Sequence, residues 1–456
     1  MRKVLLFMLV CLIISGCAKN GISEGEKNET TVYSGSSLNP LGIDSAKLID
    51  GEYLFFLDES KYLPLIKVDD TDFSIEEVDL DKVDALKKKI QLDLDSAFSL
   101  KLPLKHIFAT TFSGFFVSGI SVAKANEILS TVSLITSGQN NFTIQNVRAT
   151  MQAPGPIPQN TRPSMQEWQY DSIKKTSSKV LYVNPTLTSG NSAKKIWIVD
   201  SGVDASHSDL NVITDPAFSV SFVHNEPNAL VDVVGHGTHC AGIAAGKARY
   251  TEDGMLGMNG VSPNAPIVSV KVINWNGEGK WSDVKFAFEH IFEKSKAGDV
   301  VSASFGDLLP GAANVCNFQN GVLNAIEKLA GKGVSVVMAA GNTGIDSKRF
   351  YPACYDRENV FTIGSLSVTY GFGSNLQFST PSFSTYSNFG SPPIDYVAPG
   401  DFVFSTFPGN RYAILSGTSM STAMVAGIIH AKGGGPNGSE YLYRPPSTTR
   451  YLIAKY

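Results

Sequence analysis

The sequence predicts an α/β protein in which a parallel sheet carries helices on both faces and follows a small α+β domain. Short, apolar, β-branched runs such as "KIWIVDSG", "IVSVKVI" and "GVSVVMAAGN" recur along the later part of the chain, and polar loops follow them. Helix-like segments such as "SDVKFAFEHIFEKSKAG" lie between these runs. Continuous apolar strands that alternate with helices indicate a parallel sheet that is covered on both sides.

Composition sets the scale of this fold. The chain has 456 residues, of which 43% are hydrophobic and 18% are charged, and this is enough for one large domain and a smaller one. The net charge is −4 at pH 7, and the sequence contains no basic patch. We therefore expect no nucleic-acid partner.

The first residues have the pattern of an export signal. "MRKVLLFMLVCLIISGC" begins with Arg2 and Lys3, continues with an apolar run too short to span a bilayer comfortably, and ends in small residues. The ending resembles the lipobox of bacterial lipoproteins, which implies that Cys17 becomes a lipidated first residue. We expect a signal peptide at residues 1–16 and a polar tether at residues 17–44; the alternative is an ordinary signal peptide that contains a cysteine.

The sequence of residues 45–147 predicts a small domain. "YLFFLDE" predicts a strand, "DLDKVDALKKKIQLDLDSAF" an amphipathic helix, and "HIFATTFSGFFVSGI" two strands about Gly114. A helix capped by Ser121 and the strand "NFTIQNV" complete a β-α-β-β-α-β order, which fits a ferredoxin-like domain. Residues 148–164 are rich in proline and glutamine and predict an exposed, cleavable linker before the large domain at residues 165–456.

Three cysteines would remain in the exported protein, where disulfides are stable. Cys316 and Cys354 lie in loop-like sequence, whereas Cys240 lies in the apolar, glycine-rich "HGTHCAGIAAG". We predict a disulfide between Cys316 and Cys354 and a free, buried Cys240.

Polar residues that follow the predicted strands are candidates for chemistry, because ligands bind at the carboxyl ends of parallel strands. Asp200, Asn342 and Ser304 follow three such runs, while His236 lies among glycines and Ser419 precedes an apolar segment. A nucleophilic serine needs an imidazole to accept its proton and a buried carboxylate to orient that imidazole. Separately these residues could be turn residues, a core histidine or a helix cap, but together they predict a catalytic site.

Four blocks carry a resemblance to a known family. "IVDSGVDASHSDL", "GHGTHCAGI", "AAGN" and "GTSMSTAMVAG" resemble, in this order, the signature blocks of the subtilisin-like serine proteases. The resemblance implies a subtilisin-like parallel sheet with Ser419 as nucleophile, His236 as general base and Asp200 as its orienting carboxylate. It also implies that Asn342 donates a hydrogen bond to the oxyanion, and that His239 is structural.

The same resemblance implies a substrate site and a reaction. "NGEGKWSD" and "SASFG" resemble the two extended segments that pair with a peptide, so Gly277, Gly279, Ser304 and Gly306 are candidate substrate-binding residues. We expect a secreted endopeptidase of broad specificity that prefers an apolar P1 side chain, because neither "AAGNTG" nor "SASFG" places a charge at the S1 pocket. The alternatives are a catalytically inactive binding protein on this fold and an esterase with the same triad.

The small domain resembles, more weakly, the I9-type propeptide of these proteases. This implies a self-processed zymogen whose own propeptide inhibits it, with membrane contact only through lipidated Cys17 before the mature protease is released from the cell envelope. No cofactor is required and no metal ligand is assigned. A structural calcium ion is possible because Asp209 matches an acidic family position, but residues 247–260 do not match the calcium loop of many relatives, so calcium is not predicted. Departures from the family at Ala423 and Met424 predict altered packing with retained activity.

Overall fold

The computed structural model describes residues 38, 48–62, 79–98, 102–146, 150–151, 157–158, 170–249, 256–309, 314–317, 321–371 and 377–456. All of these residues belong to one unit, Ser36–Tyr456. The predicted signal peptide and Cys17 lie outside the described residues. Among the helices that are described, none is both long enough and apolar enough to cross a membrane.

The described helices include those that the sequence predicts, with bounds within a few residues of expectation, and two at residues 178–183 and 236–245 that have no predicted counterpart. They are α1 Leu80–Ala97, α2 Val122–Thr131, α3 Ser178–Val183, α4 His236–Ala245, α5 Trp281–Lys294, α6 Gly321–Gly331 and α7 Thr418–Lys432.

The strands are shorter and more numerous than the helices. The first are β1 Leu48–Leu57, β2 Leu104–Phe108, β3 Gly114–Ser118, β4 Ile135–Asn146, β5 Thr150–Met151, β6 Ile157–Pro158, β7 Tyr170–Asp171, β8 Thr176–Ser177, β9 Ile196–Asp200, β10 Val220–Ser221, β11 Ile267–Lys271 and β12 Glu278–Lys280. The remainder are β13 Val300–Ala303, β14 Phe305–Leu308, β15 Ser335–Ala339, β16 Phe350–Tyr351, β17 Val360–Ser367, β18 Tyr370–Gly371, β19 Gln377–Phe378, β20 Ser382–Phe383, β21 Ile394–Pro399, β22 Val403–Phe407, β23 Arg411–Ser416, β24 Tyr441–Tyr443 and β25 Arg450–Ile453.

The small domain has the β-α-β-β-α-β order that the sequence predicts. Its strands lie in the order β4-β1-β3-β2, and all neighbours are antiparallel. The carboxylate of Asp79 caps α1 and the hydroxyl of Ser121 caps α2, each by accepting a hydrogen bond from a backbone N–H of the first turn. β4 begins at Ile135, earlier than the predicted strand, and extends beyond the small domain to pair with β12 and β14.

The large domain is built on a sheet in the order β10-β11-β9-β13-β15-β17-β21-β25-β24, in which only β24 and the side strand β20 are antiparallel. Successive residues of β9 point to opposite faces, as strand geometry requires. Ile196 and Ile198 pack with residues of α4 and α7, whereas Trp197 and Val199 pack with residues of α5 and α6. The predicted architecture of helices on both faces of a parallel sheet is therefore confirmed.

Two segments differ from expectation. The predicted linker is not irregular throughout, because its residues 150–151 and 157–158 form β5 and β6 against β23. The tail after His430, for which the sequence predicts no element, supplies β24 and β25 and extends the main sheet beyond β21. Tyr451 and Ile453 of β25 are buried in the core on the α7 side, so apolar burial explains why the tail joins the sheet.

The cysteines pair as the sequence predicts. Cys316 and Cys354 form a disulfide with their Cα atoms 5.5 Å apart, and Cys240 is free and buried.

Candidate active site

Asp200 and His236 form a buried hydrogen-bonded pair. Asp200 is the last residue of β9 and His236 the first of α4, and Nδ1 of the imidazole lies 2.8 Å from Oδ1 and 2.9 Å from Oδ2 of the carboxylate. Because a carboxylate only accepts, the proton of Nδ1 is donated to Asp200, and Nε2 is the basic nitrogen. Nε2 is buried, and no described residue forms a hydrogen bond with it.

Asp232 holds the first turn of the helix that carries the imidazole. Its Oδ1 accepts hydrogen bonds from the hydroxyl of Ser201 at 2.9 Å and from the backbone N–H of Gly235 at 2.8 Å. Its Oδ2 accepts from the backbone N–H of Thr238 at 2.9 Å and from the hydroxyl of Thr238 at 2.7 Å. Asp232 therefore caps α4 and ties its first turn to the residue that follows Asp200.

The pKa values of the two histidines of α4 shift in opposite directions. Burial alone would lower the pKa of His236, but the charge and hydrogen bond of Asp200, with a contribution from Asp232, raise it above its ordinary value. Burial lowers the pKa of His239 to about 3, and its Nε2 lies 3.1 Å from the carbonyl oxygens of Val403 and Ala413. His239 is thus a neutral residue that donates to backbone carbonyls, whereas His236 has the environment of a general base.

Ser419 is the second residue of α7 and is completely buried. Its carbonyl oxygen accepts a hydrogen bond from the hydroxyl of Ser304 at 3.4 Å and contacts the thiol of Cys240 at 3.9 Å. Cys240 lies one turn after His236 on α4, so the start of α7 packs against the helix that carries the imidazole. The position of Ser419 at a helix N-terminus favours negative charge nearby.

Asn342 lies beside the start of α7. Its Oδ1 accepts hydrogen bonds from the backbone N–H of Thr418 at 2.9 Å and from the Thr418 hydroxyl at 2.8 Å. These two donors define which end of the amide is the oxygen, so the amino group is the end that can donate to a developing negative charge.

Two of the four candidate substrate-binding residues lie in strands that pair with β4. Gly279 of β12 pairs with Ile144, and Gly306 of β14 pairs with Gln145. Gly277 instead lies in the turn before β12, with a φ of 78° that favours glycine. Ser304 lies between β13 and β14 and contacts the carbonyl of Ser419.

The surroundings of Asp209 do not fit a calcium ion. Its carboxylate accepts hydrogen bonds from the backbone N–H groups of Arg249 and Met258, each at 2.9 Å, and from the hydroxyl of Tyr412 at 2.7 Å. Calcium needs oxygen ligands around such a carboxylate, and N–H groups pointing at it occupy the same directions. Hydrogen bonds therefore take the place of a cation at this position.

Comparison with known proteins identifies the family of the part of the chain that carries these residues. Residues 191–433 match the model of the subtilase family, Peptidase_S8, and this range covers β9, α4 and α7. The chain belongs to the subtilase family.

Several curated relatives of this subtilase are proteases. Thermophilic serine proteinase of Bacillus sp. (strain AK1) is 35% identical over 53% of this chain, which spans about half, 52%, of that relative's length. Thermitase of Thermoactinomyces vulgaris is 34% identical over 52% of this chain and 74% of its own. Among solved structures, a cold adapted subtilisin-like serine proteinase matches 57% of this chain and 85% of its own, with 25% identity and a TM-score of 0.44.

Sequence reasoning overlooks three parts of the site. Asp232 carries no clear local signal, because it lies three residues before Gly235, which is the N-cap of α4. Thr418 carries a local signal, as a hydroxyl residue at the start of α7. The strand β23 lies directly before Gly417, and its run "RYAILS" is apolar and β-compatible, but no signature block points to its pairing partners.

Proposed function

We propose that this subtilase hydrolyses peptide bonds through an acyl-enzyme on Ser419. The hydroxyl oxygen of Ser419 attacks the scissile carbonyl carbon while Nε2 of His236 accepts the hydroxyl proton. Asp200 stabilises the resulting imidazolium, and the amide of Asn342 with the backbone N–H of Ser419 stabilises the oxyanion. The imidazolium then protonates the leaving amine, and a water activated by the same nitrogen hydrolyses the ester.

The observation that carries this proposal is the buried hydrogen bond from Nδ1 of His236 to Asp200, which leaves Nε2 as the base. A serine-directed fluorophosphonate should label the mature protein, and Ser419→Ala should abolish the label and the hydrolysis of casein. Ser421→Ala is the matched control, because Ser421 is a buried serine of the same helix that donates to the carbonyl of Ala398. Absence of label on the wild type would favour an inactive binding protein, and cleavage of a simple ester without casein would favour an esterase.

We propose that residues 45–147 are a propeptide that occupies the cleft before maturation. Backbone pairing supports this, since β4 runs antiparallel to β12 and β14 up to Asn146, and Thr150 pairs with Ser416 just before the nucleophile. The flank that ends at Asn146 and the flank that begins at Thr150 therefore lie on either side of Ser419. Residues 147–149, between these flanks, lie outside the described residues. We place the maturation cut after Val147.

N-terminal sequencing tests the cut. Wild-type protein should yield a mature chain that begins near Arg148, whereas Ser419→Ala should remain full length and Ser421→Ala should process normally. Processing of Ser419→Ala purified without other proteases would contradict self-cleavage. A cut far from residues 147–149 would contradict the placement.

We propose an apolar P1 preference and broad specificity elsewhere. Neither "AAGNTG" nor "SASFG" contains a charged residue, the hydroxyl of Ser304 contacts the carbonyl of Ser419, and backbone pairing along β12 and β14 tolerates many side chains. Mapping the fragments of denatured casein tests this: cuts should cluster after apolar residues, and clustering after Arg or Lys would contradict it.

We propose that the precursor is an envelope lipoprotein and that maturation releases the protease, because a lipid on Cys17 would belong to the propeptide side of the cut. Metabolic labelling with palmitate should mark the precursor, and Cys17→Ser should remove the label. Active, mature enzyme that fractionates with membranes through Cys17 would contradict release.

A further inference from the structure

Two segments extend beyond the neighbouring parallel strands β13 and β15 at the carboxyl edge of the main sheet. Residues 304–306 follow β13, and residues 340–342 follow β15. The first segment pairs with β4, with Phe305 opposite Asn146. The second carries the proposed oxyanion donor, Asn342, which lies beside the start of α7. A peptide bound along the first segment must therefore present its scissile carbonyl to the second.

The residue before the proposed cut is Val147, which directly follows the residue that pairs with Phe305. In the proposed mechanism, its carbonyl is the one that Ser419 attacks and that the amide of Asn342 stabilises. A substrate residue at this P1 position is therefore placed between the two segments, and we call the space between them the P1 cleft. The side chains that already occupy this cleft decide which P1 residues fit.

The ring of Phe350 fills the P1 cleft. A Cβ at Gly306, in the first segment, would lie 2.4 Å from Cε1 of the ring, and one at Gly341, in the second, would lie 3.1 Å from Cδ1. The ring therefore lies against both walls, and at Gly306 it lies closer than a residue with a side chain would allow. Phe350 is 5% exposed and packs with Ala339 and Ala353, which are completely buried. Little space is left between the walls for a second large side chain.

The backbone holds the ring in this position. Phe350 belongs to β16, which pairs antiparallel with β14, so that Phe350 lies opposite Leu308. Its carbonyl oxygen accepts a hydrogen bond from the N–H of Cys354 at 2.9 Å, and Cys354 belongs to the disulfide. The wall at Gly341 is also fixed, because its carbonyl oxygen accepts from the backbone N–H of Asn388 at 2.9 Å. Moving the ring aside would expose a buried aromatic side chain or disturb these contacts, and both changes are unfavourable.

We infer that Phe350 determines P1 specificity by excluding large side chains, so that this protein cleaves polypeptides after small residues such as alanine and valine. The inference rests on the proposed endopeptidase function and narrows the proposed apolar P1 preference to small apolar side chains. The residue before the proposed cut agrees with it, since the side chain of Val147 ends at Cγ and is shorter than that of leucine or phenylalanine. In a close-packed apolar site, one methylene more or less changes kcat/KM roughly 10–200-fold.

Peptides that copy residues 143–151 test the inference with the mature enzyme. They carry the native sequence or one substitution at P1, which is Val147→Ala, Val147→Leu or Val147→Phe. For the wild-type enzyme, kcat/KM should be at least about tenfold higher for the native and Val147→Ala peptides than for the Val147→Phe peptide, with the Val147→Leu peptide between them.

The decisive enzyme variant is Phe350→Ala, which empties part of the P1 cleft. The ratio of kcat/KM for the Val147→Phe peptide to that for the Val147→Ala peptide should rise at least about tenfold over the wild-type ratio. Because the ratio compares two substrates of one enzyme preparation, a partly unfolded preparation does not change it.

Two further enzymes serve as controls. Phe350→Leu keeps an apolar side chain, so its ratio should lie between those of the wild type and Phe350→Ala, and it replaces Phe350→Ala if that variant does not fold. Phe383→Ala removes another buried ring, on β20, and should keep the wild-type ratio.

A wild-type enzyme that cleaves all four peptides equally well would overturn the inference and leave the proposed function intact. A ratio that stays at the wild-type value in both Phe350 variants would do the same. Failure of the enzyme to cleave any of the peptides, or casein, would overturn the proposed function and the inference with it.

Discussion

Oδ1 of Asn342 accepts hydrogen bonds from both the backbone N–H and the hydroxyl of Thr418. Thr418 precedes Ser419, the proposed nucleophile, so one residue connects Asn342, the proposed oxyanion donor, to the start of α7. The backbone donor is present whichever residue occupies position 418, but the hydroxyl donor is not. The orientation of the Asn342 amide therefore depends partly on one side chain that does not itself react.

Thr418→Val should lower kcat about tenfold and leave KM nearly unchanged, because it removes the hydroxyl donor and loosens an amide that acts mainly in the transition state. Thr418→Ser keeps the hydroxyl and should restore most of the activity. Asn342→Ala should lower kcat by about 10²–10³, the usual loss for one oxyanion donor. Steady-state kinetics on one peptide measures all three, and a Thr418→Val effect confined to KM would refute this role.

Asp200→Asn should lower kcat by about 10⁴ near neutral pH. The asparagine retains the shape of the side chain but no longer supplies the charge that raises the pKa of His236, and it stabilises the wrong tautomer of the ring. Asp215→Asn is the control, since Asp215 is exposed and its side chain accepts only from the nearby backbone N–H of Ala217 among the hydrogen bonds described. A full-strength Asp200→Asn enzyme would exclude Asp200 as the carboxylate that orients His236.

The sequence predicts most of the main sheet because its strands are continuous apolar runs and their ends are polar. The helix α4 is harder to predict, since "HGTHCAGIAA" contains glycines and has no apolar stripe. Packing explains it: a Cβ at Gly237 would lie 2.1 Å from the carbonyl oxygen of Gly202, and one at Gly242 would lie 2.2 Å from the hydroxyl of Thr406. Glycine lets this helix lie unusually close to its neighbours, and tertiary contact overrides its low helix propensity.

Edge pairings are the part of the site that a single sequence does not reveal. β5 and β6 are two residues each, and they are strands only because β23 offers them an edge. The tail strands β24 and β25 depend in the same way on β21. Such pairings join residues far apart in the chain, so periodicity within a short window carries no trace of them.

The full-length chain should lose stability in acid through Glu289. This buried carboxylate on α5 accepts from the backbone N–H of Ala109 at 3.1 Å and the hydroxyl of Thr110 at 2.8 Å, and lies 2.6 Å from Nε2 of His106. Burial alone would raise the pKa of Glu289, but the hydrogen bonds and the charge of His106 lower it below the ordinary 4.5. A lowered folded-state pKa adds stability above pH 4.5, and this is lost as the pH falls through the lowered value.

Unfolding of the full-length Ser419→Ala protein between pH 3 and 7 measures this effect. Glu289→Gln should reduce the free energy of unfolding by about 1–3 kcal/mol at pH 7 and should weaken its decline in acid. Glu358→Gln, at an exposed position, should change neither quantity. An unchanged acid profile in Glu289→Gln would show that other carboxylates govern the decline.

Removal of calcium should not destabilise the Asp209 region. Because backbone N–H groups and Tyr412 already saturate the carboxylate, a chelator should leave the melting temperature unchanged, whereas Tyr412→Phe should cost about 1.5–3 kcal/mol. Thermal unfolding with added EDTA and with added calcium measures both effects. A rise in melting temperature with calcium that disappears in Asp209→Asn would refute this account.

The disulfide between Cys316 and Cys354 should stabilise the region next to β12 and β14, the strands that carry candidate substrate-binding glycines. Cys316 and Cys354 are 38 residues apart, so closing this loop in the unfolded chain is worth about 3–4 kcal/mol. Tyr351, close to Cys354 in the chain, packs its ring 4.6 Å from that of Trp281 at the start of α5, directly after β12.

The double variant Cys316→Ser with Cys354→Ser should therefore unfold at a lower urea concentration. Dithiothreitol present during unfolding should shift the wild type to the same midpoint. The reductant should leave the double variant unchanged, since the buried Cys240 is the free cysteine of the described chain, and a wild-type midpoint insensitive to reductant would refute the bridge.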